Sequence, residues 1–268
     1  MTGDPAAGDP PVRARPPLDA VLRRRVPAAK QVWLFDLDNT LHDASLAAYA
    51  GINEGMTRYI ETELGYPREA ADALRRGYWL RYGATMLGLV RHHGVKASHF
   101  LHHTHLLPGL EARVRGHAHD LAALARLPGR RVLLTNAPAA YSARVLGALG
   151  IARLFDAVIA VEGMRMFGQW RPKPDARMLR RTAARLGVPP AWCTLVEDTL
   201  EHQKSARRLG MRTVWMQRWV RHARTRSMLA AALPAAVPAW TAPPPTQLTR
   251  RPAYVDRRIV ALRELLRR

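Results

Sequence analysis

The sequence predicts an α/β fold, a doubly wound parallel sheet carrying a large helical insertion. Three features predict it: short apolar runs recur along the chain, helical patterns lie between them, and most connections are short. The runs cover 32–35, 131–135, 157–161, 193–197 and 212–216, each about the length of a strand buried on both faces. Helical patterns over 139–149, 175–186 and 200–209 fill the later gaps, and Gly150, Gly187 and Gly210 stand just past their ends as C-caps. Strand and helix in alternation with tight connections give a parallel sheet with helices on both faces.

The first gap breaks this rhythm. It is about 90 residues long, far more than one crossover helix needs. Its patterns are helical over 46–64, 69–82, 85–93 and 110–127, separated by Gly-Tyr-Pro and Leu-Pro-Gly breaks. The expected organisation is therefore a mobile Pro/Ala-rich leader over 1–30, a core over 31–43 and 128–218, and a helical subdomain over 44–127. An irregular proline-rich segment over 219–252 follows, then a last edge strand at 254–256 and a helix at 259–266, both within 253–268.

With 268 residues, 48% of them apolar and 24% charged, the chain has the composition of a globular protein rather than a disordered one. A single cysteine, Cys193, excludes an internal disulfide framework and any CxxC metal site, and its place in a strand predicts an inert thiol. No apolar run reaches the roughly 18 residues of a membrane span, and the N-terminus lacks a secretory pattern, so a cytoplasmic protein is expected.

Charge is the unusual quantity: 42 Lys+Arg against 21 Asp+Glu give +21, and only four of the basic residues are lysines. Residues 1–30 carry a net +3 and residues 218–268 a net +9, so just over half of the excess lies in the flanks. Such flanks are candidates for binding nucleic acid or anionic lipid. Without interleaved aromatics or a basic amphipathic period they read instead as solvated, arginine-biased tails, and neither nucleic acid nor a membrane is the expected partner.

Chemistry concentrates at the ends of the apolar runs, where ligands bind in an open parallel sheet. Asp36 and Asp38 stand at the end of the first, and neighbouring carboxylates of this kind are relieved by a hard divalent cation. Taken alone, the pair fits a turn equally well. Thr135 and Asn136 end the second run with a hydroxyl and an amide suited to an oxyanion. Lys173 lies between two prolines just before a helical pattern, and Glu197 and Asp198 close the fourth run. Acid pair, hydroxyl, lysine and acid pair outline a site for a divalent metal and a phosphate.

In their order and surroundings these segments resemble the haloacid dehalogenase superfamily: DLDNT at 36–40, LLTN at 133–136, RPKPD at 171–175 and VED at 196–198. The resemblance spans roughly 31–217 and implies a Rossmann-like core with a type-one cap at the helical insertion. Within that cap, residues 78–89 and the following His92-His93-Gly94, together with the opening DLDNTLH, look like the pyrimidine 5′-nucleotidase branch.

The resemblance implies roles. Asp36 would be the nucleophile and Asp38 the general acid and base. Thr135, Asn136 and Lys173 would bind phosphate, and Mg²⁺ would be held by Asp36, the Asp38 carbonyl and Asp198. Glu197, Thr40 and His202 would support them, with Asn39 and Thr40 shaping the loop. His202 stands where superfamily members often carry Asn or Asp. Tyr78, Arg81 and Tyr82 are the cap residues expected to face substrate; packing would explain the aromatics as well. Six histidines over 92–105 read as a polar helical face rather than a zinc site.

The implied function is a Mg²⁺-dependent phosphatase acting on a small-molecule phosphate monoester, a pyrimidine nucleoside 5′-monophosphate above all. A sugar-phosphate or phosphoglycolate-type phosphatase, or a phosphomutase, is the alternative within the same chemistry. A non-catalytic binding protein using its basic flanks is the alternative from another class. A halide-displacing dehalogenase is disfavoured by Asp38.

Overall fold

The computed structural model describes residues 30–231 and 250–267. The expected leader, apart from Lys30, and the stretch 232–249 lie outside the described residues.

Strand β1 (Val32–Phe35) leads into a run of helices: α1 (Ala44–Ala47), α2 (Tyr49–Leu64), α3 (Arg68–Tyr82), α4 (Thr85–His93), α5 (Ala97–His105), α6 (Leu110–Arg113) and α7 (Ala118–Arg126). Then come β2 (Arg130–Leu134), α8 (Ala139–Ala148), β3 (Ala157–Ile159) and a hairpin of β4 (Arg165–Met166) and β5 (Gln169–Trp170). The chain continues through α9 (Ala176–Arg185), β6 (Cys193–Glu197), α10 (Leu200–Arg208), β7 (Arg212–Met216), α11 (Arg218–Ala231) and β8 (Arg257–Ile259). Six strands form one parallel sheet in the order β3-β2-β1-β6-β7-β8.

Side chains alternate across this sheet and feed two separate cores. Trp33, Phe35, Leu133, Val196, Val214 and Met216 pack on one face with Leu124 of α7 and Tyr141 and Val145 of α8. On the other face Val32, Leu34, Val132, Cys193 and Leu195 pack with Met178 and Leu179 of α9 and Ala206 of α10. Both faces are covered, which is why β1 is apolar at every position and β2 and β7 end in continuous apolar runs rather than alternating ones. Cys193 is fully buried and its thiol is pushed up to about 12 by burial, in keeping with an inert side chain.

Several local expectations are corrected. The pattern over 46–64 divides at Ala48 into α1 and α2, and that over 110–127 divides into α6 and α7. An additional helix, α5, carries His99, His102, His103 and His105; its buried Phe100 and Leu101 supply the apolar face. The segment expected to be irregular from 219 begins instead with α11, rich in the helix formers Ala, Arg and Leu and docked through the buried Trp219. The last edge strand is Arg257–Ile259 rather than 254–256, and a 3₁₀ turn, Leu262–Leu266, follows where a longer helix was expected.

The insertion has its own core of Tyr59, Ile60, Ala71, Met86, Leu89, Phe100 and Leu101. Its base is narrow: the Asp43 N–H donates to the Arg115 carbonyl at 3.1 Å, joining the start of the insertion to its return. Helix α11 ties down both sides of this neck. Arg226 donates to both oxygens of the buried Asp43, each at 2.9 Å, and Arg218 lies 3.0 Å from Asp120 of α7. None of the described helices is long and apolar enough to cross a membrane.

Gly88 shows how tightly the insertion is packed, since a Cβ there would lie 2.2 Å from the Tyr78 ring. Gly88→Ala therefore forces that ring aside and should cost about 1–3 kcal/mol, read as a lower urea midpoint, with Tyr78→Leu in the same chain restoring part of the loss.

Candidate active site

Asp36 follows β1 directly, and the parallel register pairing Phe35 with Val196 sets it level with Glu197. Its own N–H donates to the Val196 carbonyl at 3.0 Å, so the sheet ladder continues into the site. The chain then turns sharply. Asn39 adopts a positive φ of 58°, and its side-chain carbonyl accepts from the Ser45 N–H and hydroxyl, both at 3.1 Å. The Leu41 N–H donates to the Leu37 carbonyl at 2.9 Å, and this closed turn presents the Asp38 side chain beside that of Asp36.

Lys173 reaches the same point from the segment before α9. Its ammonium is buried, 2.6 Å from Asp36 Oδ1 and 2.6 Å from Glu197 Oε2. Asn136 seats it: the Asn136 amide donates to the Lys173 carbonyl at 2.9 Å and accepts from the Lys173 N–H at 2.9 Å. Beside the phosphate contact expected of it, Asn136 thus has a positioning role that the sequence did not announce. Thr135 ends β2 as expected; it is buried, and its hydroxyl accepts from the Ala137 N–H at 3.1 Å.

The second acid pair is braced from behind. Gln203 of α10 donates to the carbonyls of Glu197 at 2.9 Å and Val214 at 2.6 Å, and the Trp215 indole donates to the Asp198 carbonyl at 2.8 Å. The Thr199 N–H donates to Glu197 Oε1 at 3.2 Å, and His202 Nδ1 lies 2.9 Å from Glu197 Oε2. His202 thus lies against the same Glu197 oxygen that Lys173 contacts. Oxygens of Asp36, Glu197 and Asp198 all lie within 4.8 Å of one another, a carboxylate cluster able to hold a hard cation.

Charge in this cluster is unbalanced. Burial and the neighbouring Glu197 push Asp36 up to about 7 against the pull of Lys173, and burial with Glu197 and Asp36 holds Asp198 well above the carboxylate range. Burial would also raise Glu197, but Lys173 and His202 together hold it below its ordinary value. Burial would lower Lys173, but Asp36 and Glu197 outweigh it and keep the ammonium charged. One cation faces three carboxylates, and a divalent ion is the direct remedy.

Asp38 has a different setting. Tyr141 of α8 donates its hydroxyl to Asp38 Oδ1 at 2.8 Å, and His42 Nε2 lies 2.8 Å from the same oxygen. Tyr49, at the start of α2, is raised well above the phenol range by burial and then by Asp38, Asp198 and Asp36, so the insertion places a phenol near the carboxylates. Thr40 is buried with its hydroxyl unpartnered among the described residues.

The three expected cap residues separate. Tyr78 packs its ring over Gly88, and its hydroxyl lies 2.8 Å from His93 Nε2. Arg81 is exposed, its guanidinium 5.5 Å from the Tyr82 ring centre. Tyr82 lines a cleft of about 240 Å³ with Leu87, Trp170 and the segment from Arg171 to Asp175 that carries Lys173. Sequence reasoning missed Tyr49, Tyr141, Trp170 and Gln203. His42, four residues after Asp38 in the same turn, carried a signal in its spacing.

A parallel α/β sheet with nucleophile-type carboxylates, a buried lysine and a braced acid pair at its carboxyl ends defines a class of hydrolytic enzymes. Residues 31–210 match the haloacid dehalogenase-like hydrolase family, and this chain belongs to it. Phosphate metabolism protein 8 of Saccharomyces cerevisiae is 24% identical over 203 residues, covering 68% of this chain and 60% of that protein. The chain thus spans about three fifths of that relative's length. Among solved structures, a HAD phosphatase from Thermococcus onnurineus superposes with a TM-score of 0.55 at 19% identity, covering 88% of this chain and 95% of the other. CbbY from Rhodobacter sphaeroides, solved in complex with phosphate, superposes with a TM-score of 0.54 at 17% identity, covering 88% and 96%. At these identities both likenesses speak to the fold.

The Asn136 clamp is directly testable. Asn136→Ala strips the Lys173 N–H and carbonyl of their partners in a water-poor site and should cost about 1–3 kcal/mol in a denaturant titration.

Proposed function

We propose that this hydrolase is a Mg²⁺-dependent phosphatase that cleaves phosphate monoesters through an aspartyl phosphate on Asp36. The observation that carries this reading is the buried Lys173 ammonium, 2.6 Å from Asp36 and 2.6 Å from Glu197, beside a three-carboxylate cluster. Phosphoryl transfer asks a protein chiefly for positioned positive charge and an in-line nucleophile, and this arrangement offers both.

Magnesium fits the donors: they are hard oxygens, and the raised Asp36 and Asp198 leave negative charge in want of a cation. Asp36, Asp198 and the Asp38 carbonyl would hold it, and it would supply charge neutralisation to the phosphoryl oxygens. An Asp36 carboxylate oxygen attacks phosphorus. The bond from phosphorus to the leaving oxygen breaks, and that oxygen keeps the electron pair and takes a proton from Asp38. Water then attacks the aspartyl phosphate and gives a proton to Asp38. The bond from phosphorus to Asp36 breaks, which frees inorganic phosphate and restores the carboxylate. Lys173 and Thr135 hold the phosphoryl oxygens through both steps.

Within this class the favoured substrate is a pyrimidine nucleoside 5′-monophosphate. The cleft between Tyr82 and Trp170 supports it, because two aromatic side chains there lie beside the segment that carries Lys173.

Three measurements test these readings. Asp36→Asn should lower kcat on every phosphate monoester by roughly 10⁴-fold or more, since an amide neither attacks phosphorus nor binds a cation well. A chelator should abolish turnover, and Mg²⁺ returned to the stripped protein should restore it and raise the Tm. Tyr82→Ala should raise KM for UMP and CMP about tenfold, as loss of one stacking ring predicts, while leaving KM for small sugar phosphates unchanged.

A further inference from the structure

Two hydrogen bonds meet on one oxygen of Asp38. Tyr141 donates its hydroxyl to Oδ1 at 2.8 Å from α8, on the core side. His42 Nε2 stands 2.8 Å from the same Oδ1 from within the turn itself. A carboxylate oxygen can only accept, so Nε2 carries the ring proton in this contact. His42 is fully buried and its Nδ1 has no partner among the described residues, so nothing else there competes for the ring. Among the described residues Oδ2 takes no hydrogen bond, and the Asp38 side chain is 17% exposed where Asp36 beside it is 9% exposed.

We infer that Tyr141 and His42 are positioning residues that fix Asp38 through Oδ1, so that Oδ2 alone carries the proton passed to the leaving group. An oxygen that already accepts two donors has no room for a proton of its own, and the proton is directed to its twin. The same grip fixes where Oδ2 points, and a general acid must be held within hydrogen-bond reach of the leaving oxygen to work. The Tyr141 hydroxyl orients the carboxylate without the ammonium that Lys173 brings to Asp36. The inference rests on the phosphatase reading and on Asp38 as its acid.

Tyr141 also links this grip to the insertion. His105 at the end of α5 packs edge-on against the Tyr141 ring, with centres 5.6 Å apart. Burial pushes His105 down to about 4, so an uncharged ring makes that contact.

The test compares leaving groups. Tyr141→Phe keeps the packed ring and removes only the donor. His42→Leu removes the second donor, and His42→Gln returns an N–H near the place of Nε2. Leaving-group release in a single turnover, which reads the first step alone, should fall about 10- to 100-fold for an alkyl phosphate, which needs a proton on departure, in Tyr141→Phe and His42→Leu. Release from p-nitrophenyl phosphate, whose leaving group departs unprotonated, should stay within about threefold, and His42→Gln should recover most of the alkyl rate. The substrate concentration that gives half the maximal release rate should hold in each variant, and a thermal melt verifies that each is folded.

Asp38→Asn is the reference. If it shows the split between leaving groups and Tyr141→Phe and His42→Leu do not, the positioning inference is overturned while the phosphatase reading stands. If Asp38→Asn slows first-step release from both substrates equally, Asp38 is not the acid, and that reading fails first. A folded Tyr141→Phe or His42→Leu that loses both activities in proportion likewise overturns the inference.

Discussion

A buried ammonium group holds the centre of this protein together. Lys173 Nζ has no solvent around it and sits 2.6 Å from carboxylate oxygens on two neighbouring strand ends, those of β1 and β6. A charge in that position is tolerable only if its partners stay in place, because removing either leaves an uncompensated ion in a medium that solvates it poorly. The surrounding structure serves that requirement. Asn136 clamps the lysine backbone from β2, the Ser205 hydroxyl of α10 donates to the neighbouring Pro174 carbonyl, and Asp175 caps α9 by accepting from the N–H groups of Arg177 and Met178. Strand ends, a loop and two helices are thereby fixed to one point.

The two carboxylates of the first acid pair are held by opposite means. Asp36 belongs to a charged cluster whose anions outnumber their cation, which suits the metal-binding and nucleophilic role proposed for it. Asp38 is gripped by a phenol and an imidazole, which suits the proton-carrying role proposed for it. A spacing of two residues, with Leu37 buried between them, puts these environments side by side without merging them.

Much of this was legible in the chain. Five apolar runs marked five of the six strands of the sheet because parallel strands buried on both faces show continuous hydrophobicity, and their polar ends marked Asp36, Thr135, Glu197 and Asp198. Lys173 stood out through its flanking prolines. What stayed hidden depended on tertiary contact. Tyr141 looks like one more apolar position of α8, and only the packing of that helix against the 36–42 turn reveals its hydroxyl at Asp38. Asn136 carries the right chemistry for an oxyanion, and only the approach of a distant segment reveals that its amide also clamps the Lys173 backbone. Tyr78 has the aromatic character of a base-stacking residue, and its contact with Gly88 joins two helices in a way that no local pattern announces. Helix α11 was obscured by its own charge, since its helix-forming side chains are interspersed with arginines that read as a solvated tail.

The hydrogen bonds that close the site and the neck of the insertion join residues ever farther apart in the chain. Tyr141 meets Asp38 across 103 positions, Lys173 meets Asp36 across 137, and Arg226 meets Asp43 across 183. During synthesis the insertion emerges early, and its helices can pack on one another from neighbouring sequence. Asp43, at its root, waits for a cation that the ribosome delivers only after all but the last strand of the sheet has been made. The acidic turn is therefore the first part of the site to be translated and among the last to be secured, and a nascent chain halted before α11 would carry its acid pairs and lysine with the neck above them still unclasped.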